Sequence, residues 1–182
     1  MNIGVFNDFV LYGECPGFII EKYSSIVPSE IIGIWGEYGF GFFYNGFLKT
    51  INPDEYKDIL DTSYSRSSLS IPLFATGMGD IITWDNNEML MLVNYGKKAL
   101  RGLSKKVDNF LLSLSSQNYC EDRLMWKNYP KAVEVYGPLA YDECFGYVPL
   151  LGLGGVERVK NLQKVKIKEQ ILVITELLGP FE

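Results

Sequence analysis

Three short apolar runs in close succession constrain the fold of this chain most. They occupy residues 70–96, "SIPLFATGMGDIITWDNNEMLMLVNYG", and are separated by the turn-forming sequences GMG at 77–79 and DNN at 85–87. Each run is too short for a typical helix, and its β-branched and aromatic residues favour strands. Apolar runs spaced in this way by turn residues predict an antiparallel meander.

A further pair of strands is predicted upstream of the meander. Residues 33–51, "GIWGEYGFGFFYNGFLKTI", place Asn45 and Gly46 between two apolar arms. Asn-Gly is preferred in the type I′ turn because both residues tolerate positive φ. The segment therefore predicts a β-hairpin with aromatic residues that mainly fill the core. These residues are Trp35, Tyr38, Phe40, Phe42, Phe43 and Tyr44.

Short helices are predicted on either side of the hairpin. Upstream, "VPSEIIGIWGEYG" has Pro28 near its first turn, where the missing N–H costs little. Downstream, Asn52 is a candidate N-cap and Pro53 takes the first helical position. Asp54 and Glu55 follow at the positive end of the helix dipole, which stabilises them there.

The remainder of the chain predicts further helices. "LSKKVDNFLLSLSS" has Ser104 as a candidate N-cap, and in residues 118–136 a helix is expected to break near Pro130, followed by a second short helix or a strand. The last predicted helix is amphipathic and stops at Gly179-Pro180. The apolar positions at helical spacing are Val107, Phe110, Leu111 and Leu114, and then Ile167, Ile171, Ile174 and Leu178.

These elements predict an α+β fold. Its antiparallel meander sheet with hairpins is flanked by short helices and a C-terminal amphipathic helix, since the strands cluster instead of alternating with helices. A boundary is expected near residue 100, between a sheet-rich part (1–100) and a helix-rich part (101–182) that together form one compact unit.

Composition excludes several classes of function. A net charge of -5 repels polyanions, so no nucleic-acid partner is expected. No uncharged apolar run approaches the roughly 18 residues of a membrane-spanning helix, and the first residues lack the positive region of a signal peptide. The 3 cysteines form no close pair, which favours the reducing cytoplasm over a disulfide framework. No cofactor or metal is expected.

The absence of histidine is the strongest restriction on chemistry. With 0 His, the chain cannot form a Ser-His-Asp triad, a Cys-His pair or the common zinc sites. Most hydrolase mechanisms that depend on a group titrating near neutrality are therefore excluded.

Residues 140–155, "AYDECFGYVPLLGLGG", are either a catalytic loop or a structural corner. The glycine run lacks the GK[ST] ending of a phosphate-binding loop, and adjacent acids such as Asp142 and Glu143 diverge rather than converge on one substrate. We therefore expect the acids to accept backbone N–H groups at a turn, and Cys144 to be an inert thiol. The residues assigned to this structural motif are Asp142, Glu143, Phe145, Gly146, Pro149, Gly154 and Gly155.

Four blocks of the sequence carry a resemblance to a known family. They are "IWGEYGFGFFYNGFLKTINPDEYKDIL", "LFATGMGDIITWD", "YGPLAYDECFGYVPLLGLGG" and "VKNLQKVKIKEQILVITELLG". In order and wording they resemble the GAD-like domain family of bacterial proteins, joined to the C-terminal domain of type VI secretion immunity proteins. Members often carry a histidine in the final helix, whereas this chain has Gln170 in that region, so a catalytic or metal role finds no support there.

The resemblance implies a cytoplasmic, non-enzymatic antidote that binds a cognate toxin, often a nuclease, and covers its active site. The hypothesis for the binding surface is a set of loop acids that mimic a phosphate backbone, with Trp35 or Tyr38 as an exposed anchor. The acids are Glu37, Asp54, Glu55, Asp80 and Asp85.

Two alternatives remain open from the residues themselves. A hydrolase that uses only carboxylates would bring Asp142, Glu143 and Asp80 together in one cleft. A module that binds a small ligand or a peptide would use the aromatic hairpin as one wall of a pocket.

Overall fold

The strands of the main sheet follow one another in space as they do in sequence. The computed structural model describes residues 4–182, in which seven strands form one sheet in the order β1 to β7, and every neighbouring pair is antiparallel. The predicted meander is thus confirmed and extended at both ends. The strands are β1 (Val10–Gly13), β2 (Phe40–Phe43), β3 (Leu48–Thr50), β4 (Ser70–Thr76), β5 (Ile81–Asp85), β6 (Met89–Asn94) and β7 (Ala99–Ser104).

The hairpin turns have the expected chemistry. Between β2 and β3 the Phe47 N–H donates to the carbonyl of Tyr44 over 3.1 Å, and the central residues Asn45 and Gly46 have φ of 55° and 73°. Positive φ at both central positions is what a type I′ turn requires. The Asn-Gly prediction is confirmed.

Helices cover both faces of the sheet, and a second, two-stranded sheet lies in the C-terminal part. The α+β prediction is confirmed. Among residues 4–182, no helix combines the length and apolarity needed to cross a membrane. The helices are α1 (Gly17–Tyr23), α2 (Ser29–Tyr38), α3 (Pro53–Ser63), α4 (Val107–Ser113), α5 (Gln117–Arg123), α6 (Tyr129–Tyr136) and α7 (Ile167–Leu178), and the small sheet pairs β8 (Glu143–Tyr147) with β9 (Leu162–Lys166).

Helix ends follow local side-chain chemistry where the predictions were right. The Asn52 side chain accepts the Asp54 N–H over 3.1 Å at the start of α3, with Pro53 at the first position. At the other end of the chain, Gly179 has φ of 78° and stops α7, as predicted. Both are positions where the backbone leaves the helical region and a suitable residue lowers the cost.

Two predicted boundaries were wrong. Ser104 is the last residue of β7 and accepts the Lys106 N–H over 3.1 Å, while α4 begins at Val107. The break within residues 118–136 falls at Met125, which has φ of 61°, whereas Pro130 lies in the first turn of α6. Ser104 and Pro130 both lie near a helix start, but neither has the role that was predicted for it. Serine and proline are compatible with several positions near a helix start, so the residue type alone does not fix the boundary.

The two faces of the main sheet bury two separate apolar clusters. Alternating residues of β5 and β6 point to opposite faces, so Ile82 and Leu92 belong to one cluster and Ile81 and Val93 to the other. The first cluster includes residues of α2, α4 and α6, and the second includes residues of α3 and α7. Both clusters contain residues from either side of position 100, which itself lies in β7.

Candidate functional site

An open groove lies where β1, α3, the loop before β8 and the start of α7 meet. Its volume is about 380 Å³. Residues 12–56 and residues 141–169 each contribute side chains to its walls. They are Tyr12, Glu55, Tyr56, Tyr141, Asp142, Lys166, Lys168 and Glu169.

Stacked tyrosines form the aromatic side of the groove. The rings of Tyr12 and Tyr141 are nearly parallel, with centroids 3.9 Å apart, and Phe42 meets Tyr141 edge-on at 5.7 Å. The Tyr141 hydroxyl donates to the carbonyl of Thr50 over 2.6 Å. Burial raises the pKa of Tyr141, which keeps this hydroxyl a neutral donor. Tyr141 is thereby fixed, while Tyr12 remains 67% exposed above it.

The basic residues of the groove already have partners. Lys166 forms an ion pair with Asp142 at 2.8 Å, and the hydrogen bond between them lowers the pKa of Asp142 and raises that of Lys166. Lys168 donates to the carbonyl of Glu55 and lies 4.9 Å from the ring centre of Tyr56. Glu55 and Glu169 are exposed, and Glu169 has no hydrogen bond or ion pair with the other residues in 4–182. Glu55 accepts the Asn52 side-chain amide over 3.3 Å, and neither glutamate forms an ion pair within residues 4–182, whereas both lysines of the groove are engaged.

A buried lysine holds the loop that carries Tyr141. Lys49 on β3 is fully buried, and its ammonium donates to the carbonyls of Ala140 (3.2 Å) and Glu143. Burial lowers the pKa of Lys49 to about 8. The Glu143 carboxylate accepts the Ala140 N–H over 2.9 Å, which closes the turn from the other side. These bonds join the sheet to the C-terminal part of the chain and set the shape of the groove.

The exposed acids of the predicted partner surface do not form one patch. Glu55 lines the groove, and the neighbouring Asp54 is bound by Lys22 and the Tyr23 hydroxyl, each at 2.6 Å. Burial alone would raise the pKa of Asp54, but these two hydrogen bonds bring it below its usual value. Glu37 and Tyr38 lie apart from the groove, beside a shallow hollow at α2.

Three predicted partner residues are in the interior, so their assignment to an exposed surface was wrong. Trp35 is 1% exposed and packs edge-on against Tyr23 and Phe40. Asp80 and Asp85 flank β5 and are 1% and 3% exposed. Aspartates beside turns are usually solvated, but here both carboxylates accept hydrogen bonds within the fold.

The two buried aspartates differ in how well they are satisfied. Asp85 accepts the hydroxyls of Tyr64 (2.9 Å) and Thr83 (2.6 Å). In Asp80, one oxygen accepts the Tyr95 N–H over 2.9 Å, while Oδ2 has no partner within residues 4–182. Burial raises the pKa of Asp80 to about 7.

The carboxylates named for a hydrolase are not brought together. Asp80 lines a cavity of about 20 Å³ with Gln170 and Gly146, whereas Asp142 lines the groove and is paired with Lys166. No cluster of three His, Cys, Asp or Glu side chains suited to a metal occurs in residues 4–182. Asp142 and Glu143 both face the Lys166 ammonium, at 2.8 and 3.7 Å, so this lysine compensates their charge, and Asp80 does not join them.

The motif in residues 140–155 has the geometry of a structural corner. Phe145 is fully buried, and its N–H donates to the Gly77 carbonyl of the sheet over 2.8 Å. A Cβ on Gly155 would lie 2.1 Å from the Pro149 carbonyl oxygen, and Gly154 has φ of 86°. Burial raises the pKa of the neighbouring Cys144 thiol to about 12, so it is not a nucleophile at neutral pH.

Sequence reasoning named Glu55 and Asp142 of the groove but missed three residues that shape it. Tyr12 lies in β1, which was not predicted because "VLYG" is short and has no polar alternation. Lys49 is a charge inside the apolar hairpin arm "GFLKTI", and a charged residue at a buried strand position is a recognisable sign of an internal partner. Tyr141 had no comparable sequence signal.

Two family models match successive parts of the chain. Residues 3–95 match the family model of the GAD-like domain, and residues 104–178 match that of the C-terminal domain of the T6SS immunity protein Tdi1. No curated protein matches the chain. The crystal structure of Atu4351 from Agrobacterium tumefaciens has the same fold, with a TM-score of 0.75 at 18% identity, over 97% of this chain and 89% of that one.

The resemblance expected from the sequence is thus confirmed over both parts of the molecule, and the groove lies where the two matched regions meet. The chain belongs to the GAD-like domain family and continues into the C-terminal domain of type VI secretion immunity proteins.

Proposed function

We propose that this protein is an immunity protein that binds a cognate bacterial toxin in the cytoplasm and neutralises it by covering the toxin's active site. Its family membership supports a role in immunity to a type VI secretion effector. The observation that supports the location of binding is the groove to which both matched regions contribute, with its stacked tyrosines and two exposed glutamates that form no ion pair within residues 4–182.

The proposed mechanism is binding without chemistry. Asp142 is held by Lys166, Glu143 by the Ala140 N–H, and Asp80 lies in a separate cavity. Asp142 and Glu143 share the Lys166 ammonium, which occupies the space between them, and Asp80 cannot join them from its own cavity. Neutralisation is therefore steric, and its strength depends on the complementarity of two surfaces.

The charge of the groove and of the whole chain favours a basic toxin, such as a nuclease. The net charge is -5, and Glu55 and Glu169 project from the groove. Carboxylates arranged beside aromatic rings are suited to the cationic cleft with which a nuclease holds phosphates. A charged surface of this kind raises the rate of association more than the affinity.

Co-expression with the product of the adjacent gene tests the proposal. Toxicity in a susceptible bacterium should be suppressed by this chain, and the two proteins should purify as a one-to-one complex. Failure of both rescue and binding would reject the immunity function for that pair.

Charge reversal then tests the location. We expect Glu55→Lys together with Glu169→Lys to slow association with the toxin at least tenfold at low salt. Glu88→Lys together with Glu121→Lys is the matched control, because both residues are exposed, neither lines the groove, and the net charge changes by the same amount. Equal effects of the two changes would place the interface elsewhere.

A further inference from the structure

The two edge strands of the main sheet differ in how they are protected from other chains. An edge strand exposes unpaired backbone groups, and natural proteins usually protect it with charged side chains. β7 contains Arg101 and is flanked by Lys97, Lys98, Lys105 and Lys106. By contrast, β1 is "VLYG", with no charge, and its side chains Val10, Leu11 and Tyr12 are 59%, 56% and 67% exposed. β1 therefore has no charge within the strand and only the acids Asp8 and Glu14 beside it, so it is the less protected edge and is open to a basic segment.

The backbone of β1 is oriented to accept another strand. The Gly41 N–H donates to Thr50 Oγ1 over 2.8 Å, so the backbone groups of Gly41 face β3. Alternation then turns those of Phe42 towards β1, where it pairs with Val10. Leu11, opposite Gly41, consequently directs its N–H and carbonyl away from the sheet. One donor and one acceptor are available at the centre of the open edge.

A second copy of the chain does not suit this edge. Pairing two β1 strands antiparallel about Leu11 would place Asp8 of one copy opposite Glu14 of the other, twice, and like charges in opposite positions destabilise a ladder. Residues 4–21 contain Asp8, Glu14 and Glu21 and no lysine or arginine. Four residues from each copy would also bury well under the roughly 1,200 Å² of a stable interface.

The groove continues from the same edge. Tyr12 belongs to β1 and also stacks on Tyr141 inside the groove, where Glu55 is exposed. A strand added to β1 would therefore run beside the groove. The protein that supplies this strand would then contact the β1 edge and the groove together. This continuity enlarges the interface beyond the four residues of β1.

We propose that β1 accepts an extended segment of the cognate toxin as an additional strand of the sheet, with apolar side chains against Val10, Leu11 and Tyr12 and a lysine or arginine facing Glu14 or Glu55. This inference rests on the proposed immunity function. Main-chain hydrogen bonds would provide affinity, and the exposed side chains and acids would provide specificity.

The test compares one substitution on β1 with a matched one elsewhere, using the product of the adjacent gene as the probe. Leu11→Lys should weaken binding at least tenfold by calorimetry, because it places a cation against a basic segment and removes an apolar contact. Leu112→Lys, at a 60% exposed position on α4, should change affinity less than twofold. Both side chains are exposed, so the melting temperatures should stay within a few degrees of the wild type.

Hydrogen exchange distinguishes strand addition from side-chain contact. In the wild-type complex the Leu11 amide should exchange at least tenfold more slowly than in the free protein, because its N–H is then bonded. If the toxin binds the wild type and Leu11→Lys equally and this amide stays fast, strand addition is wrong and the immunity function stands. If the wild type does not bind, both proposals fail. A wild-type dimer in ultracentrifugation that Leu11→Lys dissociates would assign β1 to self-association and overturn the inference.

Discussion

Replacing Asp80 with asparagine should change the pH dependence of stability in a calculable way. Burial raises the pKa of Asp80 from 3.8 to about 7, so the folded state binds a proton more tightly than the unfolded state. The stability associated with protonated Asp80 is complete below about pH 4 and is lost as the pH rises through 7. The shift of about three pKa units corresponds to about 4 kcal/mol at 1.36 kcal/mol per unit.

Asp80→Asn removes the titrating group but keeps an acceptor for the Tyr95 N–H. Its new amide N–H groups point into the cavity of about 20 Å³, and unsatisfied donors there cost about 1 to 3 kcal/mol. This cost is the same at every pH. The variant should therefore be less stable than the wild type at pH 4 and more stable at pH 8, with a difference between the two ΔΔG values of about 4 kcal/mol.

Urea unfolding followed by tryptophan fluorescence at pH 4, 6 and 8 measures this difference. Asp85→Asn is the control, because Asp85 is also buried but accepts two hydroxyl groups. An amide replaces one acceptor by a donor, so this control should lose about 1 to 3 kcal/mol at pH 8, where Asp80→Asn gains stability. Equal ΔΔG values for Asp80→Asn at pH 4 and pH 8 would refute the reasoning.

Three further predictions concern stability and are measured by denaturant unfolding. Because burial lowers the pKa of Lys49 from 10.5 to about 8, the free energy of unfolding of the wild type relative to Lys49→Met should rise by about 3 kcal/mol between pH 8 and 10.5; the variant is the reference because buried tyrosines titrate in both proteins. Gly155→Ala should lower the free energy of unfolding by more than about 2 kcal/mol, because the added Cβ would lie 2.1 Å from a carbonyl oxygen. Its control is Gly36→Ala, at an exposed position of α2 with open space around it, which should raise the free energy of unfolding by about 0.5 to 1 kcal/mol. Asn52→Ala should cost about 1 kcal/mol by removing the α3 cap. A difference between the wild type and Lys49→Met that does not change with pH, a stable Gly155→Ala or an unchanged Asn52→Ala would each contradict its prediction.

Local chemistry explains why much of the fold was predictable from the sequence. The type I′ turn at Asn45-Gly46, the Asn52 cap and the stop at Gly179 each depend on one or two residues and their immediate neighbours. Turn residues between apolar runs fixed three central strands of the meander in the same way. These features need no knowledge of distant contacts.

The strands that were missed depend on distant contacts. β8 and β9 pair across 14 intervening residues, and β8 includes Gly146 in its interior, which weakens any strand signal. β1 is separated from its partner β2 by α1 and α2. A short strand with no alternation gains its structure from the partner, so its own residues carry little information.

The partner surface was harder to predict because exposure is a tertiary property. Asp80, Asp85 and Glu55 all lie near turns or helix starts in sequence, and only packing decides that two are buried and the third is open. Composition predicted an acidic, non-catalytic protein and could not place the acids. The strand order of the sheet locates the surface, because it makes β1 an edge strand and brings this edge beside the groove formed with α3 and α7.

The two edges of the main sheet carry different charges, and this difference determines which edge can accept another strand. The basic residues around β7 discourage pairing there, while Asp8 and Glu14 around β1 oppose self-pairing but not a basic partner. For the immunity function proposed above, an edge that repels its own copy and attracts a cationic segment would keep the chain available to its toxin. The net negative charge of the chain thus has a specific consequence at β1, where the acids beside the open edge favour a basic strand over a second copy of the chain.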